Sequence, residues 1–100
     1  MYERLKLHEI LCNIIKNPDR VHFQPTSNIK LKYPCIVYEA QAMTTRHANN
    51  YPYNILDRYR VIVIDQNPES ILPKKIAQLQ GARAAQPYVN DNLYHWPFDL

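Results

Sequence analysis

Two cysteines, four histidines and one aspartate at the end of a predicted strand are the side chains that could do covalent or metal chemistry. Cys12 lies in a segment of helical periodicity and Cys35 in a run of β-forming residues, so neither occupies the turn or helix start that activates a thiol. We expect both to be free, buried thiols. The histidines are scattered and form no ligand pair with i, i+4 spacing; they are His8, His22, His47 and His95.

Asp65 follows an apolar strand pattern, which is a common position for a catalytic acid. Asn67 and Pro68 come directly after it, however, and favour a role in capping a turn. No paired carboxylate accompanies Asp65 for acid–base work. The single glycine, Gly81, excludes glycine-rich phosphate loops, which need several glycines. We therefore expect a protein that is not an enzyme and that binds no cofactor and no metal.

Basic residues near aromatic ones raise the alternative of single-stranded nucleic-acid binding, because bases stack on aromatic rings between cations. Arg58 and Arg60 share a face of one predicted strand. The net charge of +3 is small for such a surface. Cross-strand pairs with Glu39 and Asp57 would explain the arginines equally well. A small nucleic-acid-binding protein is therefore the less favoured class.

The elements that position these residues belong to one domain, since 100 residues is the usual size of a single domain and residues 1–100 contain no linker. A helix is predicted over about 3–16 from apolar residues at helical spacing: Leu7, Ile10, Leu11, Ile14 and Ile15. A second, short helix is predicted within 72–79 and ends at Gly81. The predicted fold class is α+β, an antiparallel sheet of four to five strands packed against both helices.

β-forming segments between turn residues predict strands at 21–24, 35–39 and 56–65, and a hairpin around 90–92. The 56–65 strand is apolar on both faces, so we expect it at the centre of the sheet. One of its faces would take the N-terminal helix, and the other would need a second helix or another subunit. The last strand places four apolar side chains on one face: Tyr94, Trp96, Phe98 and Leu100.

Residues 44–54 are the most unusual part of the chain, because they are polar and aromatic, lack periodicity and contain no glycine. Turn chemistry at 49–50 indicates a projecting hairpin or long loop. Tyrosine supplies a large contact area for little lost side-chain freedom. We therefore expect contacts with a neighbouring subunit or another partner in this segment and in the two arginines that follow it. The predicted contact residues are Thr44, Arg46, His47, Asn50, Tyr51, Tyr53, Arg58 and Arg60.

Three stretches of the chain carry the pattern of a known family. They are residues 23–38 (from FQP to LKYPCIVY), 58–70 (RYRVIVIDQNPES) and 91–96 (DNLYHW). Together they resemble the tail terminator proteins, also called tail completion or minor tail proteins, of long-tailed phages and prophages. The resemblance covers most of the chain. It departs from the family at 80–85, where the family often has a leucine-proline turn, and at Leu100, beyond which the family usually continues.

The resemblance implies a structural role in virion assembly. Members of this family form a homo-oligomeric ring, commonly a hexamer, that caps the head-proximal end of the tail tube, ends tube polymerisation and docks the tail to the head. The implied partners are the tail tube protein and head–tail connector proteins, with DNA only as cargo through the ring and with no small-molecule substrate, cofactor or membrane. The implied location is the neck region of the virion tail, after assembly in the bacterial host cytoplasm. Another neck component, such as a connector or head completion protein, is the nearest alternative.

Overall fold

A computed structural model describes residues 4–25, 30–41, 44–48, 51–56 and 58–100. For 44–48 and 51–56 it describes the backbone alone. The elements in chain order are α1 (Arg4–Ile15), β1 (Val21–Phe23), β2 (Cys35–Ala40), β3 (Thr44–Ala48), β4 (Tyr51–Leu56), β5 (Tyr59–Asp65), α2 (Leu72–Ala77), β6 (Arg83–Ala84), β7 (Tyr88–Asn90) and β8 (Leu93–Asp99). This set of helices and strands confirms the predicted α+β fold.

α1 packs on the sheet through the apolar stripe that the sequence predicts. Leu7 and Leu11, one helical turn apart, are fully buried in the core. The helix ends at Lys16, whose φ of 61° is left-handed and whose N–H donates to the Cys12 carbonyl at 2.8 Å. Pro18 then opens a short 3₁₀ turn. Of the helices described, none combines the length and the apolar character that crossing a membrane would require.

β5 lies at the centre of a six-stranded sheet in the order β1-β2-β5-β8-β6, as expected for a strand that is apolar on both faces. It pairs antiparallel with β2 and β8, and β7 also pairs with β8. β1 runs parallel to β2, because the chain crosses back between Phe23 and Cys35 before β2 begins. The sheet is therefore mixed, with one parallel pair beside the predicted antiparallel ones.

Both helices cover the same face of the sheet. Leu72 and Ile76 of α2 join the core that α1 forms with alternate residues of β2, β5 and β8. Phe98 is buried there, and Trp96 and Leu100 pack against it, which confirms the predicted aromatic face of the last strand. The core consists of Leu7, Leu11, Val21, Ile36, Tyr38, Tyr59, Val61, Val63, Leu72, Ile76 and Phe98.

An aromatic cluster joins the start of α1 to the sheet. The Tyr38 ring lies 5.0 Å from that of Phe23 and 6.2 Å from that of Tyr59. Its hydroxyl is hydrogen-bonded to His8 Nδ1 at 2.7 Å, and the Arg4 guanidinium lies 4.9 Å from the Phe23 ring centre. Burial raises the pKa of Tyr38 above its usual 10.0. The hydroxyl is thus satisfied inside the core as a neutral group.

Candidate functional site

Asp65 holds a turn, as its sequence context predicts. Its Oδ1 accepts the backbone N–H of Asn67 at 3.1 Å. Asn67 Oδ1 in turn accepts the N–H of Glu69 at 3.0 Å. Such side-chain-to-backbone bonds two residues apart are the usual chemistry of Asx turns. The carboxylate of Asp65 thus has a local structural partner at the end of β5.

The two cysteines are free, and their surroundings lower the reactivity of both thiols. Cys35 has 0% of its surface exposed, and burial raises its pKa to about 11, an effect that Arg20 partly offsets. Cys12 is half-buried, and its pKa is raised by burial and by the charge of Glu9. Because the thiolate is the nucleophilic form, both shifts make these side chains poorer nucleophiles.

Two of the described histidines, His8 and His95, have contacts with other side chains. His8 bonds Tyr38 across the helix–sheet junction. His95 Nδ1 lies 3.0 Å from the Leu93 carbonyl, and its ring stacks on Tyr88 at 4.7 Å. Within the described ranges, no three or more His, Cys, Asp or Glu side chains are grouped so that they could hold a metal ion.

The first candidate contact surface is the sheet face that carries Cys35, Val37, Ile62 and Ile64, called the second face below. Neither described helix lies on it, so the predicted second helix does not cover this face. Coverage by another subunit, the alternative, remains a prediction. Cys35 and its register partner Ile64, 7% exposed, are already buried within one chain. Val37 and Ile62 at its centre are half-buried and give a partly open aliphatic surface.

Arg60 is held at one end of the second face. Its Nε lies 3.5 Å from Asp99 Oδ1, and Gln41 Nε2 donates to the same oxygen at 2.9 Å. The sequence pointed instead to Glu39 and Asp57 as partners. Glu39 is opposite Arg60 in register, but the ion pair is with Asp99, and Asp57 lies outside the described residues. With side chains 45% and 33% exposed, the pair contributes less than about 1 kcal/mol.

The second surface is the β3–β4 hairpin, which continues from the end of the β2–β5 pair as a separate two-stranded sheet. At its base, the Gln41 N–H donates to the Arg58 carbonyl at 2.9 Å. Leu56 pairs with Thr44 inside the hairpin, so β5 begins only at Tyr59 and not at 56 as predicted. The hairpin itself agrees with the predicted projecting element.

The predicted contact residues fall on this hairpin and its base. Five of them lie in its strands: Thr44, Arg46 and His47 in β3, and Tyr51 and Tyr53 in β4. Register pairs join Arg46 to Tyr53 and His47 to Pro52, with an irregularity between Thr44 and Arg46. Asn50 lies outside the described residues. Arg58 is exposed immediately before β5, and Arg60 is bound to Asp99 as above.

Sequence reasoning missed a third surface, the exposed strand β7. Tyr88 and Val89 are 46% and 62% exposed, respectively. Pro87 directly before this short run, and a tight turn directly after it, were the available indications of an edge strand.

Comparison with profiles of known protein families, with curated proteins and with solved structures finds no match for this chain. The case for a function therefore depends on the residues and geometry of the chain itself. Those features are a hairpin, a half-open aliphatic face and an exposed edge strand, all of them suited to contacts with other macromolecules.

Proposed function

We propose that the protein is a tail terminator subunit that forms a ring at the head-proximal end of a phage tail tube. The ring ends tube polymerisation and presents the surface on which the head docks. The β3–β4 hairpin is the observation that carries this proposal, because it is a two-stranded sheet separate from the rest of the molecule. The resemblance of residues 23–38, 58–70 and 91–96 to tail terminator proteins is the reason for proposing this kind of assembly.

A hairpin of two strands is marginally stable by itself in water, and a third strand or a packing surface stabilises it. No third strand joins β3 and β4 in the described chain. The hairpin contains Tyr51 and Tyr53, which suit an intermolecular contact better than a solvated loop. A third strand or packing surface provided by another molecule would stabilise this hairpin, which supports a role in assembly.

A closed ring needs two different contact patches on each subunit, because the contacts run head to tail. The hairpin is one such patch, and the second face and the β7 edge are the candidates for the other, on a molecule whose extents are 50 × 26 × 25 Å. Contacts of roughly 800 Å² with each of two neighbours would use about a fifth of its 7126 Å² surface. An elongated subunit with half-buried aliphatic residues on one sheet face is consistent with that demand.

Nucleic-acid binding is the competing function of a different class. Arg60 is engaged by Asp99, so Arg58 is the cation at the hairpin base that has no ion pair among the described residues. A filter-binding titration separates the two functions, because phosphate contacts make affinity fall steeply with salt. Tight, strongly salt-dependent binding of the protein to DNA or RNA would favour this competitor over the tail terminator.

The test compares Tyr51→Ser/Tyr53→Ser with Tyr51→Phe/Tyr53→Phe. Serine removes both rings, whereas phenylalanine keeps them, so the second variant controls for the substitution itself. Each aromatic side chain buried in an interface is worth about 2 kcal/mol or more, which is roughly 30-fold in affinity. We expect the serine variant to lose ring formation and tube capping, and both variants to melt near the wild-type temperature.

Ring formation is measured by native mass spectrometry across a concentration series, and capping by negative-stain imaging with tail tubes. Normal assembly of the serine variant would place the interface elsewhere. A large fall in its melting temperature would assign the tyrosines to the core. A wild-type protein that stays monomeric and binds no tube under any condition contradicts the proposed function.

A further inference from the structure

β7 forms an outer edge of the sheet beside the start of β8. All three of its residues are exposed, and two of them, Tyr88 and Val89, are large and apolar. Natural proteins usually protect such an edge with a charge, a proline, a bulge or a covering element. β7 contains neither a charged residue nor a proline, and in the described chain no strand pairs with its outer side. Its backbone is therefore open to an added strand.

The geometry of the β7–β8 hairpin identifies which backbone groups are open. Asp91 and Asn92 form a two-residue turn with φ of 52° and 61°, so the flanking pair Asn90–Leu93 exchanges both of its hydrogen bonds. Pairs alternate along an antiparallel ladder, so Val89 is in a non-hydrogen-bonded pair with Tyr94. The N–H and C=O of Val89 consequently point away from β8, toward the free edge.

The β3–β4 hairpin of the same chain lies at the other end of the sheet. β5 begins beside the hairpin base, where Tyr59 pairs with Ala40, and ends at Asp65, which pairs with Tyr94 next to β7. The seven residues of β5 span about 20 Å. The hairpin and the β7 edge of one chain are therefore separate patches, and two copies can bring them together head to tail.

The hairpin and the turn end of the β7 edge contain residues of opposite charge. The hairpin strands contain Arg46 and His47 and no acidic residue. On the receiving side, Asp91 lies in the turn that follows β7, whereas the exposed Arg83 lies in β6, which pairs with the far end of β8. Opposite charges at the turn end of the edge favour this pairing.

We propose that the β7 edge of one copy receives the β3–β4 hairpin of the next copy, which adds to the sheet as a further strand. Main-chain hydrogen bonds to Val89 form the pairing, and the hairpin tyrosines, two residues apart in β4, add contact area on one face of the extended sheet. This inference rests on the proposed function, because it requires copies of the chain to associate. It goes further in naming both surfaces of the subunit contact.

The test is Val89→Pro, with Val89→Ile as its matched control. Proline at 89 removes the outward N–H but no hydrogen bond of the β7–β8 hairpin, so it is compatible with the monomer fold. Isoleucine keeps the amide and the apolar side chain. We expect Val89→Pro to weaken self-association at least about tenfold, and Val89→Ile to associate as the wild type does.

Mixing experiments identify the occupant of the edge. Val89→Pro keeps its hairpin, and Tyr51→Ser/Tyr53→Ser keeps its β7 edge, so each is expected to be monomeric alone. Mixed in equal amounts, they should form a heterodimer through the one intact pair of surfaces, detected by native mass spectrometry. If β7 paired with β7 of another copy instead, the double serine variant would assemble alone and Val89→Pro would stay monomeric in the mixture.

Hydrogen exchange of the wild-type protein is independent of whether the proline variant folds. The Val89 amide should exchange fast in the monomer and become protected on assembly, while the Leu93 amide is protected in both states. Wild-type assembly with an unprotected Val89 amide, or undiminished assembly of Val89→Pro, overturns this inference and leaves the proposed function standing. A wild-type protein that never associates overturns both.

Discussion

Native-state labelling of Cys35 gives a quantitative test of the sheet order. Cys35 is 0% exposed in β2, which lies between β1 and β5. At about pH 8, a thiol with the usual pKa of 9.0 is roughly one-tenth thiolate, and one with a pKa of about 11 is roughly one-thousandth. Even a reagent that reached the sulfur without unfolding would therefore react about 100-fold more slowly than in the denatured chain.

Because the sulfur is also inaccessible, labelling must wait for β2 to separate from its neighbours, which slows the reaction further. The assay is alkylation with iodoacetamide, quenched at intervals and read by mass spectrometry, in native buffer and in denaturant. A Cys12→Ser variant isolates the Cys35 rate, and Cys35→Ser isolates that of the half-buried Cys12, which should react faster. A native Cys35 rate within tenfold of the denatured rate would refute its burial and make β2 an exposed edge.

Three further predictions concern stability. Ile76→Ala should lower the free energy of unfolding by about 2–5 kcal/mol in urea denaturation, because Ile76 is fully buried in α2; Lys75→Ala on the same helix is the control, and an equal loss there would contradict the packing. Tyr38→Phe should cost about 1 kcal/mol through the lost bond to His8, and a double-mutant cycle with His8→Ala that gives no coupling would argue against that bond. Stability should also fall in alkali. The pKa of Cys35 is about 11 when folded and 9.0 when unfolded, so the unfolded thiol loses its proton first, and about 2 kcal/mol is lost as pH rises from 9 to 11. Cys35→Ala should lack that part of the loss in unfolding measured across the same pH range, and identical curves for the two proteins would count against the shift.

The N-terminal helix was predictable because its periodicity is strong. Leu7 and Leu11 recur at one-turn spacing, and Asn17 and Pro18 stop the pattern, so the predicted 3–16 agrees closely with Arg4–Ile15. The central position of β5 followed from apolar residues on both of its faces. Local pattern alone determines such features, because each depends on neighbours within a few residues.

Pairing between distant segments was not predictable in the same way. β1 has three residues, and nothing in them specifies a parallel match of Val21 to Ile36. The start of β5 was predicted too early, because the β-forming run continues from Leu56 while the pairing partner changes from β3 to β2. Arg60 likewise finds Asp99 on β8, a partner that only the fold brings near.

The residues of the candidate site likewise include some that local sequence predicts and others that only the fold determines. The hairpin was predictable from turn chemistry and from tyrosines without periodicity, which are local properties. The β7 edge was not, because the exposure of Val89 depends on which strand of the sheet lies outermost. A surface for assembly consists of residues that the fold leaves exposed. The sequence can therefore indicate suitable residue types, but their exposure depends on the strand order.

Negative-stain imaging of the purified protein mixed with tail tubes from the same phage or prophage tests the central claim most directly. The proposed function predicts a ring of subunits at one end of each tube, and tubes that stop growing once the protein is added. Tubes that grow unchanged and carry no added density at either end, at every protein concentration, would contradict it.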